Sequence, residues 1–389
     1  MRAAVCHGFG EALRIEQVQL RGPGEDEVTV RLSACAICHS DIAYADGAWD
    51  GPLPAVYGHE AAGIAEVVGS AVVGLHAGDR VAVTLVRSCG RCARCLVGEP
   101  TLCEGTFPPD DAVLSGPDGQ SINQAMHTAA FAEQVTVHAS QVVPLPDGIE
   151  FDRACLISCA VLTGVGAVLN TARVRPGSTT VVVGVGGVGL NCVQGARIAG
   201  AERIIAVDVS PAKLVAAGRF GATHTVNSSD AEPVEAILEL TDGKGADEVL
   251  VATGAVAAAG VALRLTRRGG VVVLVGIPPS GASLEVDPVA ISDGSLSLLG
   301  SKMGQSRPRI DIPRLARMYL EGRLLLDELV SQRFALEEVN EAIASARRGE
   351  QLRPVIVFPG DDASRSQPGA GSTGTGSAVP LAVEQQAGR

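Results

Sequence analysis

Four cysteines, Cys89, Cys92, Cys95 and Cys103, follow the pattern Cys-x2-Cys-x2-Cys-x7-Cys. That spacing gathers four soft thiolates in one compact loop, as tetrahedral zinc requires, and a set of four leaves no open corner, which suits a structural ion. An iron–sulfur cluster also takes four thiolates. The short loop with its polar Arg91, Arg94 and Glu99 favours zinc. Two other segments, Cys38-His39-Ser40-Asp41 and Gly58-His59-Glu60, place a thiol and an imidazole at ends of expected strands or turns, where distant pieces of chain converge. Cys159, at the start of an expected Gly-rich helix, would complete a Cys2His set whose fourth corner stays open to a substrate oxygen. Taken singly, each has a plainer reading: a buried Cys is most often a small apolar residue, and a lone His a hydrogen-bonded core or surface group.

A third motif binds rather than reacts. The expected strand Thr179 to Val183 runs into Gly184-Val185-Gly186-Gly187-Val188-Gly189 and then a helical stretch, Leu190 to Ile198. In Gly-x-Gly-x-x-Gly the first glycine makes the turn, the second lets backbone approach a pyrophosphate, and the third packs helix on strand. The next strand, Arg203 to Val207, ends at Asp208, 19 positions after Gly189. A carboxylate there accepts ribose hydroxyls and repels a 2′-phosphate, so NAD is favoured over NADP.

The elements that must position these groups divide the chain. From Val28 to about Gln141, short Val-rich runs alternate with Gly, Pro and Asp, a mainly β pattern. From Thr179 to Ile277, apolar strands alternate with potentially helical stretches, which implies a doubly wound α/β unit with a parallel sheet. Helical stretches at Ile312 to Glu321 and Leu336 to Arg347 then lead to a last strand, Pro354 to Phe358, expected to return to the first unit. The segment Glu104 to Ala130, with a Gly-Pro-Asp-Gly turn at Gly116 to Gly119, is long for a connection and reads as a functional insertion. The segment 361–389, rich in Gly, Ser, Thr, Ala and Pro, reads as a flexible tail.

Composition narrows the partners. The 389 residues carry 31 Lys plus Arg against 43 Asp plus Glu, a formal charge of −12 without a basic patch, which argues against nucleic acid and anionic membrane. Aromatics are only 3%, so the cores are expected to be Val, Ala, Leu and Ile. Met1 to Gln19 lacks the apolar centre of a signal peptide, and the apolar run Val249 to Leu265 is broken by Thr253, Gly254, Gly260 and Arg264. The expectation is a cytoplasmic protein whose ten cysteines serve metal or redox chemistry before disulfides.

Together these residues resemble the zinc-dependent medium-chain alcohol dehydrogenases, from Met1 to about Pro359. The resemblance implies a mainly β GroES-like catalytic domain over 1–160 and 300–360, with a zinc lobe at 89–103, and a Rossmann NAD-binding domain over 161–299. It carries the catalytic-zinc ligands to Cys38, His59 and Cys159, and the structural-zinc ligands to Cys89, Cys92, Cys95 and Cys103, two zinc ions per chain. Glu60 matches the acidic residue beside the zinc-binding His, Asp41 the carboxylate behind that His, and Ser40 the hydroxyl that touches the substrate alcohol. Thr163 matches a threonine near the nicotinamide, His39 and Arg353 the pyrophosphate contacts, and Lys213 a second ribose contact. Cys6, Cys35, Cys155 and Cys192 are expected to be inert packing residues. The insertion, with Thr106-Phe107 and Ala130 to Glu133, looks most like the branch of glutathione- or mycothiol-dependent formaldehyde dehydrogenases and related bacterial alcohol dehydrogenases. Two departures stand out: Ala36 replaces a usual Gly, and Ala43 replaces the His that ends a proton relay.

The resemblance implies an NAD-dependent oxidoreductase that interconverts an alcohol and an aldehyde or ketone, as a homodimer or homotetramer. Two other readings stay open: a dehydrogenase of S-hydroxymethyl thiol adducts, and a zinc-stabilised NAD-binding sensor without turnover. His127, Phe107 and Met126 are weak candidates for pocket walls and fit structural roles better.

Overall fold

Strands that alternate Val with small residues pair into three sheets in the computed structural model, which describes residues 1–349 and 351–359. The expected tail at 361–389 lies outside the described residues. A seven-stranded sheet has at its centre Glu27–Ala36, which pairs antiparallel with Glu60–Val68, Gln134–His138 and the late strand Arg353–Val357. The chain therefore does return to the first sheet. A second mixed sheet holds Arg2–Cys6 and, from the 104–130 segment, the small hairpin Leu114–Ser115 with Ser121–Gln124.

The third sheet has six strands, all parallel, in which Thr179–Val183 lies between Arg203–Asp208 and Ala246–Val251. Val181, Val182, Ile205 and Val249 are fully buried, as strands covered on both faces require. The expected run Val249 to Leu265 resolves into the end of one strand and the helix Val256–Leu265. The strand order runs in opposite directions on the two sides of Thr179–Val183, and Gly184 follows the carboxyl end of that strand, the switch point at which an open α/β sheet binds its ligand.

Between the sheets runs one helical stretch, Phe151–Ala172. Here expectation and structure differ: Cys159 sits well inside this helix, in a π-helical turn at Ile157–Val161, and not at a helix start. The helix begins earlier because Glu150 to Leu156 offers no breaker, and Gly164 and Gly166 are tolerated because other backbone fills the space beside them. A Cβ on Gly164 would lie 2.5 Å from the Val188 carbonyl, and one on Gly166 would lie 2.6 Å from that of Gly304. The helix is long and apolar enough to cross a membrane by length and composition, but 89% of its apolar window is buried in the protein, so it is a core helix. Leu156, Ile157, Val161 and Leu162 are fully buried, each stabilising the fold by about 1.5–3 kcal/mol before entropy is counted. Its first part packs on the Glu27–Ala36 and Glu60–Val68 strands and its later part on the helix Gly187–Ala199. One rigid rod thus touches both the metal-ligand strands and the glycine loop.

Candidate active site and metal centres

Cys38 follows the central strand and precedes the helix His39–Ala45. His59 precedes the strand Glu60–Val68. Their side chains and that of Cys159 are buried, and the three ligand atoms lie within 4.8 Å of one another. His59 Nε2 is 3.2 Å from Cys159 Sγ. Around zinc with bonds of about 2.1 Å to nitrogen and 2.3 Å to sulfur, a tetrahedron sets such donors about 3.6 Å apart, so the group fits after a spread of a few tenths of an ångström.

One carboxylate fixes this arrangement. Asp41, fully buried, accepts at Oδ1 from the Gly58 amide at 2.9 Å and lies 3.0 Å from His59 Nδ1, while its Oδ2 accepts from the Cys38 amide at 3.0 Å. Two ligand segments are thereby tied to one side chain, and His59 is left with Nε2 to offer a metal. Gly58 has φ +92°, and a Cβ there would meet the Phe131 amide nitrogen at 2.5 Å, so only glycine fits. A hydrogen bond from Cys159 holds the Cys38 thiol well below its ordinary value, and Cys159 is raised in turn by that bond and by burial. Burial works against the His59 cation, but the Asp41 and Cys38 charges together raise it to about 10.

The cysteine lobe forms a second group. Cys89, Cys92, Cys95 and Cys103 bring all four sulfurs within 4.8 Å, half-exposed, with Cys92 and Cys103 3.9 Å apart. Tetrahedral zinc thiolate places sulfurs about 3.8 Å apart. Amides of Cys89, Cys92 and Gly105 donate to sulfurs of the set, the usual support for thiolates. Cys6, Cys35, Cys155 and Cys192 are buried free thiols, and burial raises each of them.

At the glycine loop the helix starts at Gly187, so Val188 and Gly189 lie in its first turn. A Cβ on Gly189 would stand 1.9 Å from the Gly184 carbonyl, and one on Gly186 would meet nothing within 4 Å, an opening that a ligand can enter. Asp208 accepts from the Val185 and Ser210 amides, each at 2.9 Å, which aims its carboxylate at the loop. Arg353, 3% exposed, lies against Gly187, where a Cβ would meet its Cδ at 2.6 Å. Its Nη2 forms an ion pair with Glu60 Oε2, while its Nε has no hydrogen-bond partner among the described residues, a buried donor suited to an anion. Glu60 Oε1 accepts from the Ala160 amide at 3.0 Å, next to Cys159.

The remaining expected residues fall around these. Ser40 is half-buried in the first turn beside Cys38, and the chain places no relay imidazole at Ala43. His39 reaches the surface, yet close packing, and after it the Arg353 and Lys213 charges, hold it below the ordinary imidazole value, so the neutral ring stands beside two cations. Lys213 extends to within 3.5 Å of the Cβ position of Gly349. The Thr163 hydroxyl serves Cys159 and approaches Met303 Sδ at 3.5 Å. Met303 and Gln305 have left-handed backbone (φ +50° and +46°), and the sequence carries no sign of this turn, because neither is a residue that favours it. Phe131, read in the sequence only as part of the Ala130 to Glu133 segment, packs behind Gly58. In the 104–130 segment, His127 bonds Asp110 at 2.6 Å and Phe107 lies under Arg87, which makes both structural.

Comparison with known proteins agrees with this geometry. Residues 24–147 match the alcohol dehydrogenase GroES-like domain, and residues 187–321 the zinc-binding dehydrogenase domain. The chain is 36% identical to an alcohol dehydrogenase class-3 of Cereibacter sphaeroides, over 92% of its own length and 99% of the relative's. It is 34% identical to an S-(hydroxymethyl)glutathione dehydrogenase of Paracoccus denitrificans, with the same coverage. A benzyl alcohol dehydrogenase from Acinetobacter calcoaceticus superposes with TM-score 0.86 at 32% identity, over 92% of this chain and 99% of the other. An alcohol dehydrogenase zinc-binding domain protein from Burkholderia ambifaria gives TM-score 0.88 at 36% identity, with the same coverage. With two buried thiols and an imidazole converging beside a glycine loop, and relatives alike over nearly their whole length, the chain belongs to the zinc-dependent medium-chain alcohol dehydrogenase family.

Proposed function

We propose that the protein interconverts an alcohol and an aldehyde or ketone, with NAD as the hydride acceptor. The observation that carries the reading is the Cys38, His59 and Cys159 cluster, buried and three-membered, next to the helix turn that holds Thr163. When bound, zinc supplies a Lewis acid that acidifies the substrate hydroxyl, and NAD supplies the hydride acceptor. The chain's own residues do the rest. Cys38, His59 and Cys159 would hold the ion, and Asp41 keeps His59 in the tautomer that presents Nε2. Ser40 would take the hydroxyl proton. With Ala43 in place of an imidazole, the chain offers no side-chain relay at that position, and Ser40 would pass the proton on toward water. Arg353, His39 and Lys213 would hold the pyrophosphate and ribose, and Asp208 would take the ribose hydroxyls in preference to a 2′-phosphate. The buried helix Phe151–Ala172 and Phe131 exclude water from the metal side.

The test is a screen of primary, secondary and aromatic alcohols with NAD, followed at 340 nm, with metal quantitation expecting about two zinc ions per chain. A second arm adds formaldehyde with glutathione or mycothiol. Turnover that requires the thiol identifies the S-hydroxymethyl adduct as substrate, the activity named for the Paracoccus relative. No NADH from any arm at full zinc occupancy refutes the enzymatic reading and leaves a non-catalytic NAD-binding protein. A dimer or tetramer is proposed on family grounds and is read by light scattering; the edge strand Ser297–Gly300, mostly exposed and paired on one side, is compatible with further association.

A further inference from the structure

The chain has a single tryptophan, Trp49, and neither metal group uses it. It follows the helix His39–Ala45, and the amides of Ala48 and Trp49 fold back to donate to the Ala43 carbonyl at 2.9 and 3.3 Å. The indole meets Tyr44 edge-on with centroids 5.2 Å apart, and Tyr44 stacks at 6.2 Å on Tyr57, two residues before His59. On its other side the indole N–H donates to the Pro278 carbonyl at 3.0 Å, and the Ser280 amide donates to the Ala48 carbonyl at 3.2 Å. Pro278 and Ser280 lie on the loop that leaves the carboxyl end of the parallel strand Thr266–Leu274. That loop is fastened to the glycine-loop end of the sheet. A Cβ on Gly276 would meet Thr253 at 2.4 Å, and one on Gly184 would meet the Thr253 side chain at 3.0 Å. Close approaches link Gly184 to Thr253 and Thr253 to Gly276, and two peptide steps carry the chain from Gly276 to Pro278 and its bond with Trp49.

We propose that Trp49 is a latch across the mouth of the dinucleotide cleft, closed by the Trp49–Pro278 and Ala48–Ser280 hydrogen bonds, which must break for the cofactor to leave. The inference rests on the dinucleotide binding proposed above. Both bonds join the segment that carries Cys38, Ser40 and Asp41 to the rim beyond the carboxyl ends of the strands, the side on which an open α/β sheet binds its ligand. Two hydrogen bonds are a fitting strength for a gate, because each is worth little net and the pair can open within a catalytic cycle.

The sole tryptophan reports on its own latch. In the full zinc-loaded chain, acrylamide quenching of Trp49 emission is expected to fall about two- to fivefold at saturating NAD, which does not absorb that emission. Stopped-flow displacement of NADH is expected to run about two- to tenfold faster in Trp49→Phe, which keeps a ring against Tyr44 and loses the N–H. Ser280→Pro removes the other donor without touching the tryptophan, and a similar acceleration is expected. Melting midpoints are followed in parallel, and acceleration that appears only in variants with lowered midpoints counts against the latch. Unchanged quenching, or unchanged NADH release in both variants, overturns the latch and leaves NAD binding standing. No binding of NAD or NADH to the wild-type chain in equilibrium dialysis overturns the proposed function and the latch with it.

Discussion

Asp41→Asn isolates how the first metal group is held. The carboxylate serves three donors: the Gly58 amide and His59 Nδ1 at one oxygen, and the Cys38 amide at the other. An asparagine of the same shape presents one oxygen and one NH2, so at best two donors keep their acceptor and the third faces another donor. A buried donor left unpaired costs about 1–3 kcal/mol. Loss of the partner that orients a ligating histidine weakens metal binding about 10- to 100-fold, which is about 1.4–2.7 kcal/mol. The two estimates overlap because they describe the same bonds. The assay is a chelator competition that resolves two classes of zinc. The class held by Cys38, His59 and Cys159 is expected to weaken by the stated factor, and the class held by the cysteine lobe to stay unchanged. Unaltered affinity in both classes would refute the role given to Asp41, and weakening of both would show a global loss of folding in its place.

Cys103→Ser is expected to remove one zinc per chain and to lower the melting midpoint by about 5 °C or more, read by metal analysis and calorimetry. Asp208→Gly removes the charge that repels a 2′-phosphate, and the ratio of kcat/KM for NADP to that for NAD is expected to rise at least about tenfold in steady-state assays. Gly189→Ala drives a methyl to 1.9 Å from the Gly184 carbonyl, a backbone clash, and is expected to abolish NADH binding and to cost more than about 3 kcal/mol in urea melts. Asp110→Asn tests the 104–130 segment. Burial alone would raise Asp110, but His127 and Arg87 hold its carboxyl below the usual range. A lowered folded pKa stabilises above the unfolded value of about 3.9 and is lost as pH falls through the folded value. The variant is expected to be about 1 kcal/mol less stable at pH 7 and to lack the wild-type loss of stability below about pH 4, read by melts across pH.

What the sequence revealed depended on whether a group is contiguous. Cys89 to Cys103 and Gly184 to Gly189 were legible because all their parts lie within a few turns of chain, and Asp208 because the strand that carries it follows at a fixed interval. Cys159 was legible as a ligand but not in its setting. A π-helical turn has no residue signature, and the glycines that seemed to open a helix instead admit Gly304 and Val188 against one already formed. Met303 and Trp49 escaped for a related reason: left-handed backbone at a methionine and a side chain bonded to a carbonyl far along the chain leave no periodic trace.

Arg353 shows why the late strand matters to the site. Its strand pairs with Ala34 to Ala36, and the Pro354 carbonyl accepts from the Ile37 amide at 3.0 Å, one residue before Cys38. The same guanidinium meets Glu60 on one side and Gly187 on the other. One buried cation, whose Nε is unpartnered among the described residues, therefore stands between a metal-side carboxylate and the glycine loop. An anion arriving at Gly187 would draw Arg353 toward itself and loosen Glu60, which sits beside Cys159 through the Ala160 amide. Because Arg353 is 3% exposed and its strand is paired in the sheet, an anion at the glycine loop would act on Glu60, and through it on the helix turn of Cys159, by way of this one guanidinium.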